Sequence, residues 1–158
     1  MKDLVNYIIE KLKINKDIKK TYNYHPKTTE ELVQTVYKLI KERGTEANLN
    51  DIDTSDIDDM SGVFSDNDVN RSFDGDISEW DVSNVKVMTE MFLESNFTGK
   101  NGDISNWDVS YVEDMLNMFN RSKFSGDISN WDISSVLDMT NIFNGCPLEK
   151  NPPKWYYE

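Results

Sequence analysis

Gly102-Asp-Ile-Ser-Asn-Trp-Asp-Val-Ser110 is written three times in this chain of 158 residues, with one residue changed in each of the other copies. Gly75-Asp-Ile-Ser-Glu-Trp-Asp-Val-Ser83 precedes it, and Gly126-Asp-Ile-Ser-Asn-Trp-Asp-Ile-Ser134 follows. Each copy leads into a second shared phrase: Met88…Met91-Phe92, Met115…Met118-Phe119 and Met139…Ile142-Phe143. A worn fourth copy lies upstream. There Leu49, Ile52, Asp53, Ser55, Ile57, Met60 and Phe64 stand where Ile77, Trp80, Asp81, Ser83, Val85, Met88 and Phe92 stand in the next. From Ile52 to Trp80 is 28 residues, from Trp80 to Trp107 is 27, and from Trp107 to Trp131 is 24. Self-similarity at a period of roughly 20 to 50 residues signals a stacked array.

Within one copy the apolar residues are Ile104, Trp107, Val109, Val112, Met115 and Phe119. The opening Ile-x-x-Trp-x-Val follows leucine-rich-repeat grammar, in which a short strand is followed by a helical return. Trp107 and Val109, two apart, share one strand face while Asp108 takes the other. Beyond Ser110 the gaps become threes and fours, which predicts a helix. Ser83, Ser110 and Ser134 would cap it, and the Met and Phe four apart would share one of its faces. The expected fold class is therefore α/β: a short leucine-rich-repeat-like solenoid of about four repeats. It has short parallel strands, helical returns and an α-helical N-terminal cap. The indoles of Trp80, Trp107 and Trp131 fall in the inward register and read as core.

The phrase Asp-Ile-Ser-x-Trp-Asp-Val-Ser-x-Val-x-x-Met-x-x-Met-Phe resembles the BspA-like leucine-rich repeat family, which includes surface-type repeats of mycoplasmas and gut bacteria. The resemblance covers residues 49–146. It implies a repeat fold and a binding role, often at a cell surface. It carries over no catalytic residues.

Along the chain, residues 3–13 read as an amphipathic helix with Leu4, Val5, Ile8, Ile9 and Leu12 on one stripe. Tyr22-Asn-Tyr24 alternates like a short strand. Thr28 and Glu31 form a capping box for a helix whose apolar face is Leu32, Val36, Leu39 and Ile40, with Gly44 as its stop. A stack of repeats exposes apolar surface at both ends. The expected division is thus a helical N-terminal cap over 1–48, the repeats over 49–146 and a C-terminal cap over 147–158, sealed by Trp155-Tyr156-Tyr157.

Net charge is −12, unevenly spread. Residues 1–44 hold ten Lys/Arg against six Asp/Glu, and residues 45–158 hold seven against twenty-three. A field of that sign repels nucleic acid, whose non-specific binding rests on phosphate attraction. It favours a protein partner with a basic surface. No apolar run approaches the ~18 residues that would span a membrane. The opening Met1-Lys-Asp-Leu-Val, with an acid at position 3, does not read as a signal peptide. Cys146, the one cysteine, fits a reducing compartment, so a cytoplasmic location is expected, with the cell surface reached only by another export route.

Asp53, Asp81, Asp108 and Asp132 occupy one repeat position and would line up on the exposed strand face, with Asn106 and Asn130 beside them. This column is the expected binding surface. The alternative is that each carboxylate accepts local backbone amides, as Asp does in turns. No cofactor or metal is expected. The nearest approach to a calcium loop is Asp66, Asp68, Asn70 and Asp74, which keep an EF-hand count. That count fails at Arg71, where glycine is needed, and at Ile77, where a bidentate Glu is needed. No catalytic residue is expected either, because His25 and Cys146 stand at opposite ends of the stack and a nucleophile needs its base within hydrogen-bonding reach. The expected function is a non-enzymatic protein–protein interaction module, docking through the acidic face or the N-terminal helix. The alternatives are a phage-type acidic inhibitor that mimics nucleic acid to a defence enzyme, and a bacterial surface adhesin.

Overall fold

The computed structural model of the chain describes residues 20–157, and the amphipathic stretch expected over residues 3–13 lies outside the described residues. Helix α1 (Thr29–Arg43) starts and stops where its termini are satisfied. The Thr28 hydroxyl accepts the Glu31 amide at 3.2 Å, and the Glu31 carboxylate accepts the Lys27 amide at 2.7 Å. Gly44, at φ 93°, ends the helix by returning its amide to the Ile40 carbonyl. Acids in the first turn and bases in the last suit the helix dipole. Leu32, Val33, Val36, Leu39 and Ile40 are buried. The α1 stripe sits over the first repeat, where the Thr29 hydroxyl donates to the Asp59 carbonyl at 2.7 Å.

The repeats do not form the expected α/β solenoid. Among the described residues the only other helical pieces are the single turn α2 (Asp68–Arg71) and two 3₁₀ turns, Pro147–Glu149 and Lys154–Tyr157. Pairing of the strand kind is reduced to isolated parallel bridges: Tyr24 to Ile52, Asn48 to Asp76, Asp59 to Val87, Val87 to Asp114 and Asp114 to Asp138. There is neither strand nor sheet among these residues, and the leucine-rich-repeat reading of the strand and its helical return is corrected accordingly.

The physical reason is that gaps of three mark turns. The amides of Trp80, Trp107 and Trp131 close onto the carbonyls of Ile77, Ile104 and Ile128, three residues back, at 3.1–3.2 Å. Val85, Val112 and Val136 do the same onto Val82, Val109 and Ile133. The Met–Phe phrase, expected to be helical, is also a run of turns. Met91, Met118 and Ile142 close onto Met88, Met115 and Met139. The third residue of each of these turns has positive φ: Glu90 56°, Asn117 54° and Asn141 55°, with Gly62 at 68° in the first copy. Type II turns require that sign at that position, and an α-helix forbids it. A second left-handed residue follows four positions later, at Glu94, Arg121 and Gly145.

Alternate amides of the Met–Phe phrase cross to the next copy. Met88, Glu90, Phe92 and Glu94 donate to the carbonyls of Asp114, Leu116, Met118 and Asn120 at 2.8–2.9 Å. Met115, Asn117, Phe119 and Arg121 donate in turn to Asp138, Thr140, Ile142 and Asn144. Each copy is thus one coil made of turns, and consecutive coils lie one on the next in register.

The core runs along the stack. Trp80, Trp107 and Trp131 are buried, and their indole N–H groups donate to the carbonyls of Leu49, Ile77 and Ile104 at 3.0, 3.3 and 3.1 Å. Trp155 makes the same bond to Ile128 at 2.9 Å, in the place a further repeat tryptophan would take. Two columns of phenylalanines lie beside them. Phe64, Phe92, Phe119 and Phe143 stack at 5.1, 5.4 and 6.2 Å. Phe73, Phe97 and Phe124 stack at 6.1 and 5.9 Å. The columns interlock through near-parallel pairs 4.4–4.8 Å apart. Close coil packing explains the leading glycine of the phrase, since a Cβ on Gly75 would lie 2.0 Å from the Ala47 carbonyl oxygen.

Candidate functional site

The acidic residues are built into the coils by an Asp-x-Ser device. Asp81 Oδ1 accepts the Ser83 amide at 3.0 Å and its hydroxyl at 2.6 Å, and Asp108 Oδ1 accepts the same pair from Ser110 at 3.2 and 2.6 Å. Asp53 does so with Ser55 at 3.2 and 2.7 Å, and Asp132 accepts the Ser134 amide at 3.0 Å. The serines, expected to accept amides as helix caps, donate instead. Asp81, Asp108 and Asp132 are exposed, as are Asn106 and Asn130 beside them, while Asp53 is half-buried. With no strands present, the row sits on a face of turns.

Two further rows accompany it. Asp76, Asp103 and Asp127 accept the amides of Ser78, Ser105 and Ser129 at 2.8–2.9 Å. Asp59, Asp114 and Asp138 accept those of Ser61, Leu116 and Thr140 at 2.7–2.8 Å. The signal for the first of these rows was in the sequence, because Asp-Ile-Ser opens every full copy with the same two-residue spacing as Asp-Val-Ser. These bonds favour the ionised form. Hydrogen bonds from the Ser55, Ser129 and Ser134 hydroxyls hold Asp53, Asp127 and Asp132 below the ordinary carboxylate value. The Thr140 amide does this for Asp138. At Asp76 burial pushes upward, but the Ser78 amide and hydroxyl outweigh it, and the net direction is down.

A family model described as Mycoplasma protein of unknown function, DUF285, matches residues 30–155. The chain belongs to this DUF285 family. The match takes in α1 from its second residue, every coil and Trp155. No curated protein and no solved structure matches the chain.

Elsewhere in the DUF285 chain several titratable residues serve the ends of the stack. The Arg43 guanidinium grips Asp51 at 2.9 and 3.0 Å and holds its carboxyl at about 2. His25 Nδ1 lies 3.3 Å from Asp53 Oδ2, beside α1. Cys146 closes a turn onto Phe143 in the last coil, and burial pushes its thiol up. The two are not brought together. The calcium-like residues are also kept apart. Asn70 is buried, and its side-chain amide donates to the Val63 and Val33 carbonyls at 2.9 and 3.3 Å. Asp74 instead accepts the Thr98 amide and hydroxyl, both at 2.8 Å, and Asp68 lies 3.5 Å from Arg71. Among the described residues no three His, Cys, Asp or Glu side chains gather as metal ligands, and no helix is long and apolar enough to cross a membrane.

Proposed function

We propose that this DUF285 chain is a non-enzymatic protein-interaction module, related through its repeat phrase to the BspA-like surface repeats, and that its partner presents a basic surface to the Asp-x-Ser rows. The observation that carries this reading is the fixed carboxylate. In Asp81, Asp108 and Asp132 one oxygen is tied to the backbone two residues on, so the side chain is oriented before a partner arrives. Pre-orientation lowers the ordering cost of each contact. The charge imbalance of residues 45–158, seven basic against twenty-three acidic, adds a long-range attraction for cationic surfaces.

The test compares the natural chain with a triple variant, Asp81→Lys, Asp108→Lys and Asp132→Lys, in pull-downs from host lysate at low and high salt. The expected result is a set of basic partners retained by the natural chain at low salt, weakened by salt and lost in the triple variant. Thermal unfolding of both chains separates binding from stability. An unchanged partner set with the triple variant folded would end the proposal.

A further inference from the structure

Every inner coil passes alternate amides to its successor, and the last coil carries the same residues in the same places. Its four are Met139, Asn141, Phe143 and Gly145. The Gly145 amide is taken by the Glu149 carboxylate at 3.0 Å. The amides of Met139, Asn141 and Phe143 meet no acceptor among the described residues. The carbonyl series ends the same way. Asp58, Lys86 and Glu113 each accept two amides from the coil that follows, whereas Leu137, next in that series, accepts none among the described residues.

Side-chain burial agrees. Val85, Val112, Met88 and Met115 are fully buried, but their counterparts Val136 and Met139, and Ile133 with them, are only partly covered. The C-terminal segment covers one side of the last coil, placing Trp155 and Tyr156 against Phe143 at 5.8 and 5.2 Å. Beside it lies a concavity of about 320 Å³ whose lining includes Asn141, Phe143, Asn144 and Tyr156.

The polarity of this edge decides what fits it. The carbonyls of Met139 and Asn141 are already used by the turn-closing amides of Ile142 and Asn144. From Met139 to Phe143 the main-chain groups left without a partner are therefore donors. Two copies set edge to edge would oppose donor with donor. At the other end of the stack, the Asp59 and Val63 carbonyls are occupied by the Thr29 hydroxyl and the Asn70 side-chain amide. Head to tail, only the Ser61 carbonyl would be open to the three edge amides, so a second copy is disfavoured both ways. Nucleic acid is disfavoured by the acidic coils around the edge.

We propose that the edge from Leu137 to Phe143 is a docking site for a segment of a partner polypeptide, laid on the last coil as one more coil would lie. The segment gives carbonyls at alternate residues to the Met139, Asn141 and Phe143 amides and an amide to the Leu137 carbonyl. Its apolar side chains cover Ile133, Val136 and Met139. The recognition is strand addition in kind, applied to a coil of turns. It goes beyond the binding mode of the acidic rows and does not depend on it.

Amide hydrogen exchange on the full chain, read by NMR, tests this. In the free chain at low concentration the Met139, Asn141 and Phe143 amides should exchange at least about 100-fold faster than their counterparts Met115, Asn117 and Phe119. The probe is a synthetic peptide with the sequence of residues 110–121, whose carbonyls at Asp114, Leu116 and Met118 already accept such bonds inside the stack. At millimolar concentration it should slow the three edge amides by about tenfold or more, and a scrambled peptide should not. The Asp81, Asp108 and Asp132 triple Lys variant should respond to the peptide as the natural chain does, which separates this site from the acidic rows. Protection of the three amides in the free chain, or no slowing by the peptide, would overturn the proposal. Protection that rises with protein concentration alone would overturn it too, by making a second copy the occupant.

Discussion

Glu90→Gly sets the turn description against the helical one by the size of a single measurement. In a helix, glycine in place of Glu loses about 1 kcal/mol. Glu90, however, sits at φ 56°, where a side chain costs an L-residue roughly 1–2 kcal/mol. Glycine removes that cost but gives back about 0.4–1 kcal/mol through the freer unfolded chain. It also loses the 3.3 Å contact between the Glu90 carboxylate and the Asn117 side-chain amide, a half-buried bond worth about 0.5 kcal/mol. The expected outcome lies between a loss of about 0.5 and a gain of about 1 kcal/mol. The first coil already carries glycine at this place, as Gly62. Glu90→Val, β-branched at positive φ, should lose stability relative to the natural chain. Gln34→Gly, on the exposed side of α1, is the helical control and should lose about 1 kcal/mol. Urea unfolding followed by tryptophan fluorescence gives all four midpoints, compared at unchanged slope. If Glu90→Gly loses as much as Gln34→Gly, the left-handed turn is wrong.

Two further perturbations test the core and the cap. Trp107→Ala should cost about 3–5 kcal/mol, since it empties a buried indole site and removes one of the two donors to the Ile77 carbonyl. A loss under 1 kcal/mol in a urea titration would mean the indole is not part of the core. Arg43→Met releases Asp51, which titrates at about 2 in the fold and near 3.9 unfolded. A depressed folded value stabilises above the unfolded one and is lost as pH falls through the folded one. The difference is worth at most about 3 kcal/mol, less because the pair is partly solvated. The natural chain should therefore lead Arg43→Met by about 1–2 kcal/mol at pH 7, with the lead shrinking between about pH 4 and pH 2. A lead that is constant with pH would assign the arginine's role to packing.

Much of this arrangement was legible in the residues, and its failures share one cause. Repetition located every coil, and the Thr28–Glu31 box, the buried stripe of α1 and Gly44 were read directly. The strand and the helical return were not, because apolar residues three and four apart bury one side of a chain equally well whether it is helical or a run of turns. Only the sign of φ separates the two. Glu90, Asn117 and Asn141 carry side chains where glycine would have announced the turn, and Gly62 and Gly145 alone give that hint. The second phenylalanine column was missed because Phe73, Phe97 and Phe124 fall in the stretch where copies differ in length. At the candidate site the Asp53, Asp81, Asp108 and Asp132 row was read from repetition. Its bonding to Ser two residues on follows from the Asp-x-Ser spacing, which also marks Asp76, Asp103 and Asp127.

The indole that finishes the stack comes from outside the repetition. Trp155 arrives on a short 3₁₀ turn after Pro152 and Pro153, yet it grips Ile128 as Trp131 grips Ile104. A terminator that copies the handshake of the unit it replaces is blind to how many units stand before it. Gain or loss of a whole unit between the first and the last leaves both joints at the ends as they were. Proteins built this way can change length in whole steps across generations without having to invent a new ending each time.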